Sequence, residues 1–224
     1  LISVMIHSGS RGLGHQVCDE YVRKLVGVAA RHCLSLPDRQ LCCAPIASEE
    51  GRAYLGAMAC AANFAFANRQ LMTHWLREVF ATAGPWMPKD VRLSLVYDVC
   101  HNIAKFEKHA WEDGAAPRTV LVHRKGATRA FPAGHPDVPA CYREVGQPVL
   151  VPGDMGRCSW VLAGEPAALR ETFGSSCHGA GRLMSRSQAE KTARAADVRR
   201  DLEREGIVVR AASLGTLVEE MPAA

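Results

Sequence analysis

Short apolar runs recur along this 224-residue chain, and three of them end on histidine: VMIH at 4–7, YDVCH at 97–101 and VLVH at 120–123. Runs of this length suit strands rather than helices, so the chain must build sheets. The strand candidates are ISVMI, VRLSLVYDVCH, RTVLVHRKG, QPVLVPGDMG, CSWVLAG and IVVRAAS. In VRLSLVYDVCH, Leu93, Leu95, Tyr97 and Val99 alternate with Arg92, Ser94, Val96 and Asp98, the pattern of a half-buried strand. Between these runs the period changes. Val17, Tyr21, Val22, Leu25, Val28 and Ala29 share one face of a helix over about 15–33. Residues 50–82 read as one long helix or two broken ones ending at Gly84-Pro85, and 187–205 as a charged helix stopped by Gly206. Residues 132–148, with four prolines and two glycines, form an irregular connection. Helices and strands interleave without a regular βαβ rhythm. The expected fold class is therefore α+β, a complex mixed fold with several sheets and flanking helices.

Composition narrows the function classes. Hydrophobic residues at 48% and charged residues at 22% give an ordinary globular balance. A net charge of +4 permits a polyanionic partner without requiring one. Nine cysteines without a CxxC spacing argue against both a zinc ribbon and a disulfide framework. They fit reduced thiols and a cytoplasmic location. The alanine-rich stretch at 60–67 is too short to span a membrane, so no membrane partner is expected.

Chemistry concentrates in a few loops. One strand-end histidine can be a satisfied structural residue. Three of them (His7, His101 and His123), with His178 as a fourth, favour a shared site. No pair has HExxH spacing, so any metal site is assembled from distant segments, and imidazole suits Zn, Mn, Fe or Ni alike. GSRGLG at 9–14 reads either as a phosphate cradle opening a helix or as a tight strand-to-helix turn. PGDMG at 152–156 reads either as a common turn or as a backbone clamp on a ligand. GSSCHGAGRLMSR at 174–186 places His178 among small residues with two arginines behind it, as a site for a large phosphorylated ligand would. Arg11, Arg124, Lys125, Arg129, Arg182 and Arg186 lie beside these glycine turns and histidines, which favours phosphate recognition over a merely solvated surface. The charges around 199–204 read as a solvated helix face. A Cys177 thiol nucleophile ranks below His178, because neighbouring residues rarely point the same way.

Five motifs, HSGSRGLGHQV, DVCHNIAK, VHRKGATRAFP, PVLVPGDMG and TFGSSCHGAGR with MSR, follow one another in the order found in RtcB-type RNA ligases. The resemblance runs through nearly all 224 residues. It implies a GTP- and Mn2+-dependent enzyme, with two manganese ions in the family. Such enzymes join RNA ending in a 2′,3′-cyclic phosphate or 3′-phosphate to RNA with a 5′-hydroxyl, in tRNA splicing and RNA repair. Its substrates are tRNA halves or broken RNA ends. By the same resemblance, His178 is the nucleophile that carries GMP, and His7 and His101 are manganese ligands. Asn102, Pro152, Gly153, Asp154, Met155, Ser159, Gly179, Ala180 and Gly181 contact the nucleotide. Arg11, Lys125, Arg182 and Arg186 face RNA or active-site phosphates. His123 matches a motif position with no ligand role. Asp154 would repel phosphate, so its carboxylate is expected to face the base or a metal-bound water.

The resemblance also implies groups that have no counterpart here: an Asp, a bridging Cys and an Asn-His pair upstream of HSGSRG, and a lysine near the C-terminus. Residues 1–224 are accordingly expected to form one RtcB-like catalytic domain, its central and C-terminal part, truncated at both ends. These residues alone are expected to ligate undetectably. Two other readings stand beside the ligase: a relative that binds RNA or nucleotide without turnover, and a metal-dependent phosphohydrolase using the histidine cluster.

Overall fold

The computed structural model describes residues 2–84, 92–111, 115–179, 188, 191, 193–211 and 217–218, and its chain divides into two compact units, Leu1–Cys100 and His101–Ala224. The class is α+β: among the described residues, four α-helices accompany three antiparallel two-stranded sheets.

The first unit is built on two helices, α1 (Arg11–Arg31) and α2 (Glu49–Thr82). The face expected on α1 is the one that packs: Leu25, Val28 and Ala29 are buried, and Tyr21 meets the Tyr54 ring of α2 at 5.5 Å. α2 is a single unbroken helix of 34 residues. Ser48 caps it, its hydroxyl accepting from the Gly51 amide at 3.0 Å, and Glu49 and Glu50 complement the helix dipole in the first turn. Ala61 and Ala65 are buried on it, and one turn further on so is Arg69, only 8% exposed.

Two of the expected strands that do not form lie in the first unit. ISVMI and VRLSLVYDVCH carry strand patterning, yet residues 2–9 and 92–100 have no ladder partner among the described residues, and Leu95 and Val96 are exposed. Alternation makes a strand only where another edge accepts its amides and carbonyls. Side chains of α2 take over part of that role. Arg69 donates to the Asp98 carboxylate at 2.6 Å and to the Ser8 carbonyl at 3.1 Å, and its guanidinium lies over the Phe66 ring. Asn68 donates to the Ser8 hydroxyl and the Gly9 carbonyl, and Arg77 to the Leu93 carbonyl.

The second unit begins with a hairpin of β1 (Asn102–His109) and β2 (Arg118–Lys125), in register from Asn102 opposite Lys125 to His109 opposite Arg118. After a corner at Gly126 comes β3 (Ala127–Arg129). Then follow β4 (Pro148–Val151), β5 (Trp160–Ala163), α3 (Pro166–Thr172) and β6 (Ser175–Cys177). β4 pairs with β5, and β3 with β6, so the chain returns to lay the GSSCH motif against the strand that follows β2. β1, β3, α3 and β6 were not expected. β1 starts where the expected strand ended, because its partner β2 begins pairing at Asn102. β6 occupies part of the presumed open loop because β3 supplies an edge for it.

Phe131, Val138, Val149, Gln147 and Thr128 form the buried centre of this unit. Gln147 is both core and connector: its side-chain oxygen accepts from Arg129 and the Phe131 amide, while its backbone bonds Phe131 and Gly164. Gly174 closes the turn into β6 at φ +61, with the Phe131 ring where a Cβ would stand, 2.3 Å away, so no other residue fits there. The irregular connection at 132–148 is as expected apart from one 3-10 turn, Ala140–Tyr142. α4 (Ala195–Arg204) carries exposed i,i+3 and i,i+4 pairs such as Arg199–Glu203 and Arg200–Asp197, the solvated face that its charges implied. Gly206 ends it at φ +79, and the described residues that follow, 207–211, form no strand. Among the described residues, no helix is long and apolar enough to cross a membrane.

The Ser48 cap gives a direct test of how α2 starts. Ser48→Ala leaves the Gly51 amide without its partner and should cost about 1 kcal/mol. A denaturation midpoint lowered accordingly, with an unchanged slope, is the expected result.

Candidate active site

His178 stands one residue beyond β6, and its amide donates to the Gly126 carbonyl at 3.0 Å, extending the β3–β6 ladder by one bond. Its imidazole lies flat against that of His101, ring centres 3.8 Å apart and planes 9° from parallel. His101 precedes β1, and its carbonyl accepts from the Ala127 amide at 3.4 Å. Asn102 follows, its side-chain oxygen accepting from the Gly126 amide at 3.0 Å. The Gly126 corner thus binds both motifs: its carbonyl orients His178 and its amide orients Asn102. Lys125 pairs with Asn102 across the hairpin and is exposed. His101, Asn102, Gly126 and His178, distant in sequence, meet here. The same is not true of His123, which lies exposed within β2 rather than at its end.

The PGDMG loop closes on itself beside this cluster. The Gly153 amide donates to the Ser159 hydroxyl at 3.2 Å, and a Cβ on Gly153 would stand 2.3 Å from the Cys158 carbonyl oxygen. Only glycine permits so close a backbone approach. Pro152 lies next to the nucleophile loop, its carbonyl oxygen 4.0 Å from where a Cβ of Gly179 would be. Asp154 accepts from the Gly156 amide at 2.8 Å and lies 3.5 Å from the Arg157 guanidinium. Its carboxylate is therefore engaged in holding the turn, which resolves how an acid can stand in a loop expected to meet a nucleotide. Met155 is half-buried in the same turn.

Arg124 and Arg129, expected among the phosphate-reading cations, have other work. Arg124 is 4% exposed and grips Glu107 with two hydrogen bonds, 2.7 and 2.8 Å; Glu107 also bonds His109 at 3.0 Å. The remaining Arg124 donors reach the Ser175 hydroxyl at 2.8 Å and the Phe173 carbonyl at 2.9 Å. Arg129 bonds Gln147 and the Asp137 carbonyl and lies over the Phe131 ring. A charge buried in this way is a structural clamp, unable to reach a ligand without leaving an uncompensated partner. No motif marked this network. Its signal was Glu107 and His109 two apart, on one face of a strand, with an arginine on the returning strand.

In the first unit, His7 is exposed in the extended segment that Asn68 and Arg69 hold through Ser8 and Gly9. Arg11 is the first helical residue of α1, exposed and left-handed at φ +54. Most of GSRGLG is thus the first turn of a helix, its free amides available to an anion, rather than a separate loop. Ala180, Gly181, Arg182 and Arg186 lie outside the described residues.

The chain matches the family described as tRNA-splicing ligase RtcB over residues 1–224, and it belongs to that family. Similar relatives, each named tRNA-splicing ligase RtcB, include a Thermococcus kodakarensis protein 55% identical over 223 residues and an Archaeoglobus fulgidus protein 52% identical over 224. A Pyrococcus abyssi protein of the same name is 52% identical over 223 residues. Each alignment covers 100% of this chain, but only 46%, 46% and 24% of the three relatives respectively, so the chain spans about half their length or less.

The buried network makes a pH prediction. Burial pushes the Glu107 carboxyl up, but hydrogen bonds from Arg124 and His109, with the charges of Arg124 and Arg129, outweigh it and hold it below its ordinary value of 4.5. A depressed carboxylate adds stability above its unfolded pKa and loses it as pH falls through the folded one. The wild-type protein should therefore lose stability below about pH 4.5, and Glu107→Gln should flatten that acid limb. At neutral pH the variant should lose about 3–5 kcal/mol, because Arg124 stays buried without its counter-charge. Denaturation midpoints measured from pH 3 to pH 7 on both proteins provide the check.

Proposed function

We propose that this protein is a GTP- and manganese-dependent RNA ligase, joining 2′,3′-cyclic-phosphate or 3′-phosphate RNA ends to 5′-hydroxyl ends through a histidine–GMP intermediate on His178. The observation that carries this reading is the convergence at Gly126: His178 is fixed by its amide and stacked on His101, with the glycine loop of Pro152 beside Gly179. Membership of a family whose relatives are named tRNA-splicing ligases supplies the reaction class. The substrates are RNA, as tRNA halves or broken ends, and GTP. The reading places the enzyme in the cytoplasm, in keeping with nine cysteines that are all free.

A neutral imidazole nitrogen can attack the α-phosphorus of GTP. An N–P bond forms, the bond to the departing pyrophosphate breaks, and the phosphoramidate passes GMP onward. Asn102, Pro152, Gly153, Asp154, Met155, Ser159 and Gly179 would line the guanylate, as would Ala180 and Gly181. Arg11, Lys125, Arg182 and Arg186 would face RNA or nucleotide phosphates and neutralise them. His7 and His101 would hold manganese, for which imidazole nitrogen is a suitable donor. A bound ion would offset charge on the reacting phosphates.

The full-length protein incubated with labelled GTP and manganese should carry acid-labile label on His178. His178→Ala should abolish the label and Cys177→Ala should keep it. Label persisting in His178→Ala excludes this nucleophile. For the metal, His7→Ala and His101→Ala should each weaken manganese binding at least about tenfold, which titration followed by electron paramagnetic resonance measures. Unchanged affinity in both variants would remove these histidines from the site.

A further inference from the structure

We infer that Arg124, fixed by Glu107, is a positioning residue for the His178 imidazole. The inference rests on His178 being the nucleophile. β3 and β6 pair over only three residues each, and such a short ladder is weakly determined by itself. What fixes β6 must therefore act at its two ends. At the far end, the His178 amide bonds the Gly126 carbonyl. At the near end stands an unusual turn: Phe173 and Gly174 are both left-handed, at φ +52 and +61. For phenylalanine this conformation is disfavoured and persists only where its surroundings impose it.

Arg124 imposes it. Its guanidinium donates to the Phe173 carbonyl at 2.9 Å and to the Ser175 hydroxyl at 2.8 Å, one on each side of Gly174. The Ala130 amide adds a bond to the Gly174 carbonyl at 2.7 Å, and Phe173 packs its ring edge-on to His109 at 5.2 Å. Two positions of one strand end, 124 and 126, thus grip the segment 173–178 at both of its ends. The nucleophile segment is referenced to β2 as well as to α3, whose Thr172 hydroxyl donates to the Ser175 carbonyl at 2.6 Å and whose Ala168 carbonyl accepts from the Gly174 amide at 2.8 Å. A lysine could supply charge at 124 but not a planar fork that holds Glu107, Ser175 and Phe173 at once.

Ser175→Ala tests this gently, since it removes one Arg124 contact and keeps the Glu107 pair. Arg124→Lys is the stronger variant. Amide hydrogen exchange on the full-length protein should show residues 174–178 exchanging about tenfold faster in Ser175→Ala, with β1 and β2 unchanged. In single-turnover GMP transfer, the rate should fall about tenfold in Ser175→Ala and about a hundredfold in Arg124→Lys, with KM for GTP held within about twofold. Unchanged exchange at His178 in both variants would overturn the inference. So would acceleration spread evenly over the whole unit, or a change in KM alone. If wild-type protein carries no GMP on His178, the functional reading fails while the exchange measurement still decides the positioning.

Discussion

One guanidinium organises the second unit. Arg124 is buried with Glu107, and by itself an ion pair taken out of water gains little over an apolar pair. Here its value lies in where the spare donors go. After Glu107 has taken two of them, the others reach the Phe173 carbonyl and the Ser175 hydroxyl, on a segment about 50 residues further along the chain. Glu107 keeps the fork in place, His109 braces Glu107, and Phe173 covers His109. Removing the arginine, the carboxylate or the imidazole leaves a buried polar group without its partner, so the three behave as one unit.

Arg69 does comparable work in the first unit. A single buried guanidinium on α2 holds the Ser8 carbonyl and the Asp98 carboxylate together, the one beside His7 and the other three residues before His101. Both units therefore bring motif segments into place with an arginine from a regular element, and both segments carry too little ladder to hold themselves.

Much of this was readable in the sequence, and the misses share a cause. The α1 face from Val17 to Ala29, the helix through residue 82 and the strands around Val122, Val149 and Val161 follow from local periodicity. The meeting of His101 with His178 was legible in another way, from histidines at the ends of apolar runs and from motifs read by resemblance. ISVMI and VRLSLVYDVCH were misread because a strand requires a partner edge, which local sequence does not reveal. Arg124 was misread as a phosphate contact because its neighbours Lys125 and Gly126 look like a ligand loop, whereas its own fate depends on Glu107, 17 residues away. β6 was hidden because glycine and serine read as loop until β3 lies alongside.

None of the three sheets has more than two strands among the described residues. Backbone ladders are largely indifferent to which side chains they carry, and a wide sheet spreads that indifference over many positions. A frame of narrow ribbons has little of it to spread. Evolutionary latitude in the second unit should thus be uneven: broad on exposed β5, and almost nil at Glu107, Arg124, Phe131 and Gly174, where identity substitutes for missing strands. Drift in such a protein should gather on its surface, and its interior should change least.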